Sequence, residues 1–179
     1  KQDISDQFQI SQKLYGRDKE LGKLLQAFEH VRYGAIEIML VTGNAGIGKS
    51  SLISELYKPI VQRHGYFIVG KFEQLQRHLP YSAAWRTLLL NALSHQGQIL
   101  IEVLPELEII IGSQSQVLPL SSSEAQNRFN LAFQQFIKVF ASPSHPLVMF
   151  LDDLQWADST TLKFLATLIT NTATTSLFL

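Results

Sequence analysis

The run Gly43-Asn44-Ala45-Gly46-Ile47-Gly48-Lys49-Ser50 has the form G-x-x-x-x-G-K-[ST], and each fixed position answers a need of triphosphate binding. The glycines let the backbone turn tightly and bring N–H groups up to phosphate oxygens, where a Cβ would collide. Lys49 supplies a point positive charge for the β and γ phosphates and is a candidate catalytic residue. The Ser50 hydroxyl can enter the shell of a Mg²⁺ ion, and a helix starting here aims its positive dipole end at the anion. With Ser51, the run is the candidate nucleotide-binding segment.

A second set of residues completes that chemistry. Residues 147–151 form a continuous apolar run that ends in Asp152-Asp153. A buried parallel strand delivers a carboxylate at its C-terminal end, where magnesium needs one close to the loop hydroxyl. Asp152 is therefore the candidate metal residue together with Ser50. Asp153 is the candidate catalytic residue that orients the attacking water. The competing reading of the pair is a capping cluster for the helix that follows Trp156.

These residues need a frame. Residues 36–42, apolar and β-branched, read as a buried strand leading into the loop. Leu52, Ile53 and Leu56 follow it at helical spacing. Pro59 is expected to kink or end that helix. Upstream, Leu21, Leu24, Leu25, Phe28 and Val31 form one helical stripe after Gly16 and Arg17. Residues 65–72 read as a second strand and 174–179 as the start of a fourth. Helices are expected over 82–94, over 97–104, just after Pro105, over 124–140 with Phe129, Phe133, Phe136, Ile137 and Phe140 on one side, and from Ser159 with Asp158 as N-cap. The polar stretch 112–123 reads as an exposed loop. Strands alternating with helices, each strand nearly all apolar, predict an α/β fold with a parallel sheet covered on both faces.

Composition narrows the function. The 179 residues carry 15 Lys+Arg and 15 Asp+Glu, so no net field favours nucleic acid or an anionic membrane. The sequence has no cysteine, which removes disulfides, thiolate metal sites and a cysteine nucleophile and fits a cytoplasmic location. No apolar run approaches the roughly 20 residues that a membrane helix needs. The five histidines show no ligand spacing, so no metal beyond Mg²⁺ is expected.

The segment 151–158, Leu-Asp-Asp-Leu-Gln-Trp-Ala-Asp, resembles the signature of the STAND class of AAA-related signalling ATPases. Residues 13–21, Lys-Leu-Tyr-Gly-Arg-Asp-Lys-Glu-Leu, are similar to the G-R-x-x-E-L box that precedes the phosphate loop in that class. Residues 65–72, 126–131 and 146–148 resemble the ATPase module of large bacterial proteins, in which it lies between a Ser/Thr-kinase-like domain and GAF plus histidine-kinase domains. The resemblance implies a P-loop NTPase three-layer sandwich with strand order 2-3-1-4-5, the Asp152 strand lying beside the phosphate-loop strand. It places Tyr15, Gly16 and Arg17 by the adenine of ATP or ADP. The polar residues 1–14 read as a flexible segment and 15–179 as an ATPase domain cut after the start of its fourth strand, and the resemblance implies a polar residue and a helical or winged-helix domain beyond Leu179.

On this reading the chain is an ATP-binding, slowly hydrolysing regulatory module of a bacterial signal-transduction protein. Its partners are an adenine nucleotide, other domains of a longer chain and a homo-oligomer, with neither membrane nor nucleic acid. The alternatives are a non-hydrolysing ADP/ATP-binding oligomerisation scaffold and an origin-recognition-type DNA-replication ATPase. A small-molecule phosphoryl transferase lacks its Arg-rich lid here. Trp156 is expected in the core, or else near the base or the γ phosphate. Arg128 is read as a salt-bridging residue at the core rim, or one reaching phosphates or a neighbouring subunit. Lys71 and Glu73 are weaker candidates for sensing the γ phosphate.

Overall fold

The computed structural model describes residues 16–71, 74–75, 83–171 and 173–179. Two helices come from the first part of the chain: α1 (Asp18–Arg32) and α2 (Lys49–Gln62), with strand β1 (Ile36–Glu37) between them. Strands β2 (Tyr66–Lys71) and β3 (Gln74–Leu75) follow. Helices α3 (Ala83–Leu93), α4 (Gly97–Ile101), α5 (Glu106–Ile111) and α6 (Ser122–Phe140) precede β4 (Leu147–Asp152). Helix α7 (Ser159–Thr170) and β5 (Leu177–Phe178) close the sequence.

The sheet runs β1-β5-β4-β2-β3, parallel throughout except for β3, which returns antiparallel along β2. Side chains alternate across it as the pleat demands. Val148 and Phe178, with Phe67 and Phe150, pack on α1 and α2, where Leu24, Phe28, Val31, Leu52, Ile53, Leu56 and Ile60 are buried. Leu147, Leu177, Tyr66, Ile68 and Met149 face the other layer, built from α3 to α7. The expected three-layer α/β arrangement is present.

The strand order differs from the expected 2-3-1-4-5. Strand β5 lies between the phosphate-loop strand β1 and the Asp152 strand β4, so those two strands are not neighbours. The burial pattern is consistent with that order. Leu177 and Phe178 are buried on both faces of β5 and suit a central position. On the continuation of β1, Ile38 is 52% and Leu40 is 73% exposed, as befits an edge.

The strand predicted over 36–42 is also shorter than its apolar run. The ladder formally covers Ile36–Glu37, and two further bonds, Leu179 N–H to Glu37 O (3.0 Å) and Met39 N–H to Leu179 O (2.8 Å), carry the pairing to Met39. Pro59 does not end α2, which continues to Gln62. Buried Leu56 and Ile60 flank the proline and hold the helix to the sheet despite the missing N–H.

The remaining helices start and stop where local chemistry directs. Ser121 and Glu124 form a reciprocal capping box, so α6 begins two residues before the predicted Glu124. The Ser121 side chain and amide hold the Glu124 carboxyl below its usual range. The expected aromatic stripe of α6 is core: Phe140 stacks on Trp85 at 4.8 Å and meets Phe136 edge-on at 5.0 Å, while Phe133 meets Phe164 at 5.3 Å. Arg128 makes neither a described salt bridge nor a phosphate-site contact. Its guanidinium donates to Leu118 O at 3.0 Å and ties the 112–121 stretch to α6.

Candidate nucleotide-binding site

Parallel strands place their C-terminal ends on one edge of the sheet, and β4 delivers Asp152 there, in register with Lys71 of β2. The phosphate loop leaves β1 on the same edge. Gly46 (φ 77°) and Gly48 (φ 88°) both adopt left-handed backbone, a conformation that would strain a side-chain-bearing residue. Gly48 is the N-cap of α2, so the first helical amides open toward the concave side of the loop. Among the described residues, the N–H groups of Gly46, Gly48, Lys49 and Ser50 have no acceptor. A row of free amides at a helix start is an anion cradle.

Three side chains define the polar part of the site. Lys49 Nζ donates to Gly43 O (2.9 Å) and Asn44 O (3.1 Å), folding its charge back over the loop. Ser50 Oγ donates to Asp152 Oδ2 at 3.3 Å, across 102 residues of sequence. The other carboxylate oxygen, Asp152 Oδ1, accepts the Asp153 amide at 3.0 Å. With β5 interposed, β1 and β4 are about 10 Å apart at the usual strand spacing.

Asp153 occupies left-handed backbone (φ 58°, ψ 37°) at the start of the short 3-10 turn Leu154–Trp156. Its Oδ1 accepts Gln155 Nε2 at 3.0 Å. That turn swings Trp156 outward, leaving it 75% exposed, so the expectation of a core tryptophan is overturned. Asp158 caps α7 as predicted, accepting from the amides of Thr160 (2.7 Å) and Thr161 (2.8 Å). These contacts, the Thr161 amide foremost, hold its carboxyl below the usual range.

The residues singled out from sequence thus converge unevenly. Gly43 to Ser51, Asp152 and Asp153 meet at one sheet edge. Arg17 also arrives there, with its guanidinium on the Ile47 carbonyl at 3.2 Å. Gly16 (φ 75°) leads into α1. Tyr15, Glu73 and the side chain of Lys71 lie outside the described residues. Two participants were not anticipated: Gln155, on Asp153, and Glu20, 3.7 Å from Arg17. Both sit within three residues of the group they touch, but polar side chains at that spacing are too common to signal a pair.

A parallel α/β sheet with a glycine loop and helix N-terminus at its carboxyl edge defines a P-loop nucleotide-binding fold. A family profile described as AAA ATPase domain matches residues 13–179, and the chain belongs to that family. It is 38% identical over 188 aligned positions to the hybrid signal transduction histidine kinase G of Dictyostelium discoideum. The match takes in 93% of this chain and 5% of that protein's length. No solved structure matches significantly. Among the described residues, no helix is long and apolar enough to cross a membrane.

Proposed function

We propose that this chain is an ATP- and ADP-binding nucleotide switch, a slowly hydrolysing STAND-class module within a longer, bacterial signal-transduction protein. The observation that carries the proposal is the Ser50–Asp152 contact of 3.3 Å. It joins a helix-start hydroxyl to a strand-end carboxylate at the mouth of a loop of free amides. The relative supports the setting: it is named as a signal transduction kinase, and the matched stretch is 5% of its length. By analogy, the module sits among other domains, and its output is their rearrangement through different affinities for the ATP and ADP states.

The donor set at the loop fits magnesium. Ser50 and Asp152 offer only oxygen ligands, one neutral and one anionic, which suits a small hard cation that keeps waters and phosphate oxygens in its shell. Bound there, Mg²⁺ would neutralise phosphate charge as it develops. The chain's own residues do the rest. The free amides of Gly46, Gly48, Lys49 and Ser50 cradle the phosphates. Lys49 exchanges the Gly43 and Asn44 carbonyls for phosphate oxygens. Asp153 accepts a hydrogen bond from the attacking water, which holds it in line with the γ phosphate; catalysis then rests on positioning and charge. Tyr15, Gly16 and Arg17 are assigned to the nucleotide pocket by the same resemblance, and the domain is taken as 15–179.

One observation favours a second reading, a nucleotide-holding scaffold without turnover. Asp153 sits in a left-handed turn with one carboxylate oxygen engaged by Gln155. Phosphate release by the intact parent protein separates the two. The switch reading expects Asp153→Asn to retain Mg-ATP affinity and to lose at least about tenfold in turnover. Equal turnover in wild type and variant would remove Asp153 from the mechanism.

A further inference from the structure

Arg17 touches the phosphate loop. Its Nη2 donates to Ile47 O at 3.2 Å, across 30 residues of sequence, and its Nη1 lies 3.7 Å from Glu20 Oε1. The Arg17 side chain as a whole is 33% exposed. Helix α1 begins at the next residue, Asp18. The contact therefore joins the start of α1 to the loop that opens α2.

What that bond fixes follows from peptide geometry. All peptide bonds among the described residues are trans, so the C=O of one residue and the N–H of the next point in opposite directions. The Ile47 carbonyl is held by Arg17, and the amide of the same rigid unit belongs to Gly48. Gly48 N–H has no acceptor among the described residues. Gly48 lacks a Cβ and sits at φ 88°, so its peptide can flip at little steric cost. A flip would turn a donor into an acceptor at the phosphate side.

We infer that Arg17 is a positioning residue for the phosphate loop: it clamps the Ile47 carbonyl so that the Gly48 amide faces the phosphates. Resting on the nucleotide-binding reading above, this gives Arg17 work on the phosphate cradle rather than on the adenine. It also makes phosphate binding sensitive to the position of the α1 N-terminus. A displacement of that helix end would release the Ile47 peptide and weaken the cradle with no contact to nucleotide being touched.

The test compares wild type, Arg17→Met and Arg17→Lys, binding Mg-ADP, Mg-GDP and magnesium tripolyphosphate at about 0.1 M and about 1 M salt, where long-range fields between exposed charges are screened. Arg17→Met keeps the length and apolar stem but removes the donor. The expected result is a loss of roughly tenfold, the scale of one charge-assisted hydrogen bond. That loss is the same factor for all three ligands, persists at high salt and is partly restored in Arg17→Lys. The ligand-free melting temperatures stay together. A loss confined to the adenine nucleotide would make Arg17 a base contact and overturn the inference. A loss that vanishes in high salt would reduce it to a field effect, and no loss would remove it. If wild type binds none of the three, the nucleotide reading itself falls, and this inference with it.

Discussion

The two faces of the sheet are built differently. The layer of α3 to α7 is a large apolar mass with Phe140, Trp85, Phe136, Phe133 and Phe164 in mutual ring contact. The layer of α1 and α2 buries one stripe from each helix, and the site grows from its carboxyl edge out of glycines, free amides and exposed polar side chains. One face supplies cohesion and the other supplies chemistry. The loop does not need a deep pocket of its own. Its geometry comes from backbone conformation at Gly46 and Gly48, from where α2 begins, and from the strand end that carries Asp152.

If that division holds, damage to one face leaves the other intact. The largest effect is expected from Phe140→Ala, which removes a 5% exposed ring from the centre of the aromatic layer. Unfolding in denaturant should show a loss of about 3–5 kcal/mol, while the molecules still folded bind Mg-ADP as wild type does. A parallel collapse of affinity in the folded fraction would mean that the large layer also shapes the site. Asp152→Asn inverts the experiment. It keeps the side chain's size and its Oδ1 acceptor, so the melting temperature should hold. The gain in nucleotide affinity on adding magnesium should shrink about tenfold or more, the scale of a charge-assisted contact. A full magnesium effect in that variant would move the metal elsewhere.

The smallest effect lies at Asp158, on the α7 cap. Its carboxyl is held below the usual range by the Thr161 and Thr160 contacts, so the folded state favours the charged form. The sign follows: the stabilisation is complete above the ordinary carboxylate pKa and is lost as pH falls through the lowered value. Asp158→Ala should lower the melting temperature slightly at neutral pH, and its difference from wild type should close in strong acid. A gap that widens on acidification would contradict the cap.

Much of this was legible in the residues because it is local. The glycine pattern, the stripes of α1, α2 and α6, and the Asp158 cap all depend on spacings of a few residues. So does the acidic pair at the end of an apolar strand. Strand order was not legible, because residues 36–42 and 174–179 are both short apolar runs and only the folded sheet decides which is central. Trp156 was misread for a related reason. Its type argues for burial, but the left-handed turn at Asp153 directs it outward, and nothing in the type of Asp153 demands that turn. Pro59 shows a local rule overridden by packing of Leu56 and Ile60. The Arg17–Ile47 contact joins a side chain to a backbone carbonyl, and carbonyls leave no mark in sequence.

The central claim, that this loop binds the phosphates of an adenine nucleotide, is tested most directly by calorimetric titration of the protein with Mg-ATP, Mg-ADP and Mg-GTP, beside Lys49→Ala. Among the described residues, Lys49 Nζ bonds only to exposed loop carbonyls, so the variant should melt at the wild-type temperature. Micromolar binding of ATP or ADP, weaker for GTP and reduced about tenfold to a hundredfold or more in Lys49→Ala, is the predicted result. A cooperatively folded wild type that binds none of them, or a Lys49→Ala variant that binds as tightly, would contradict the account.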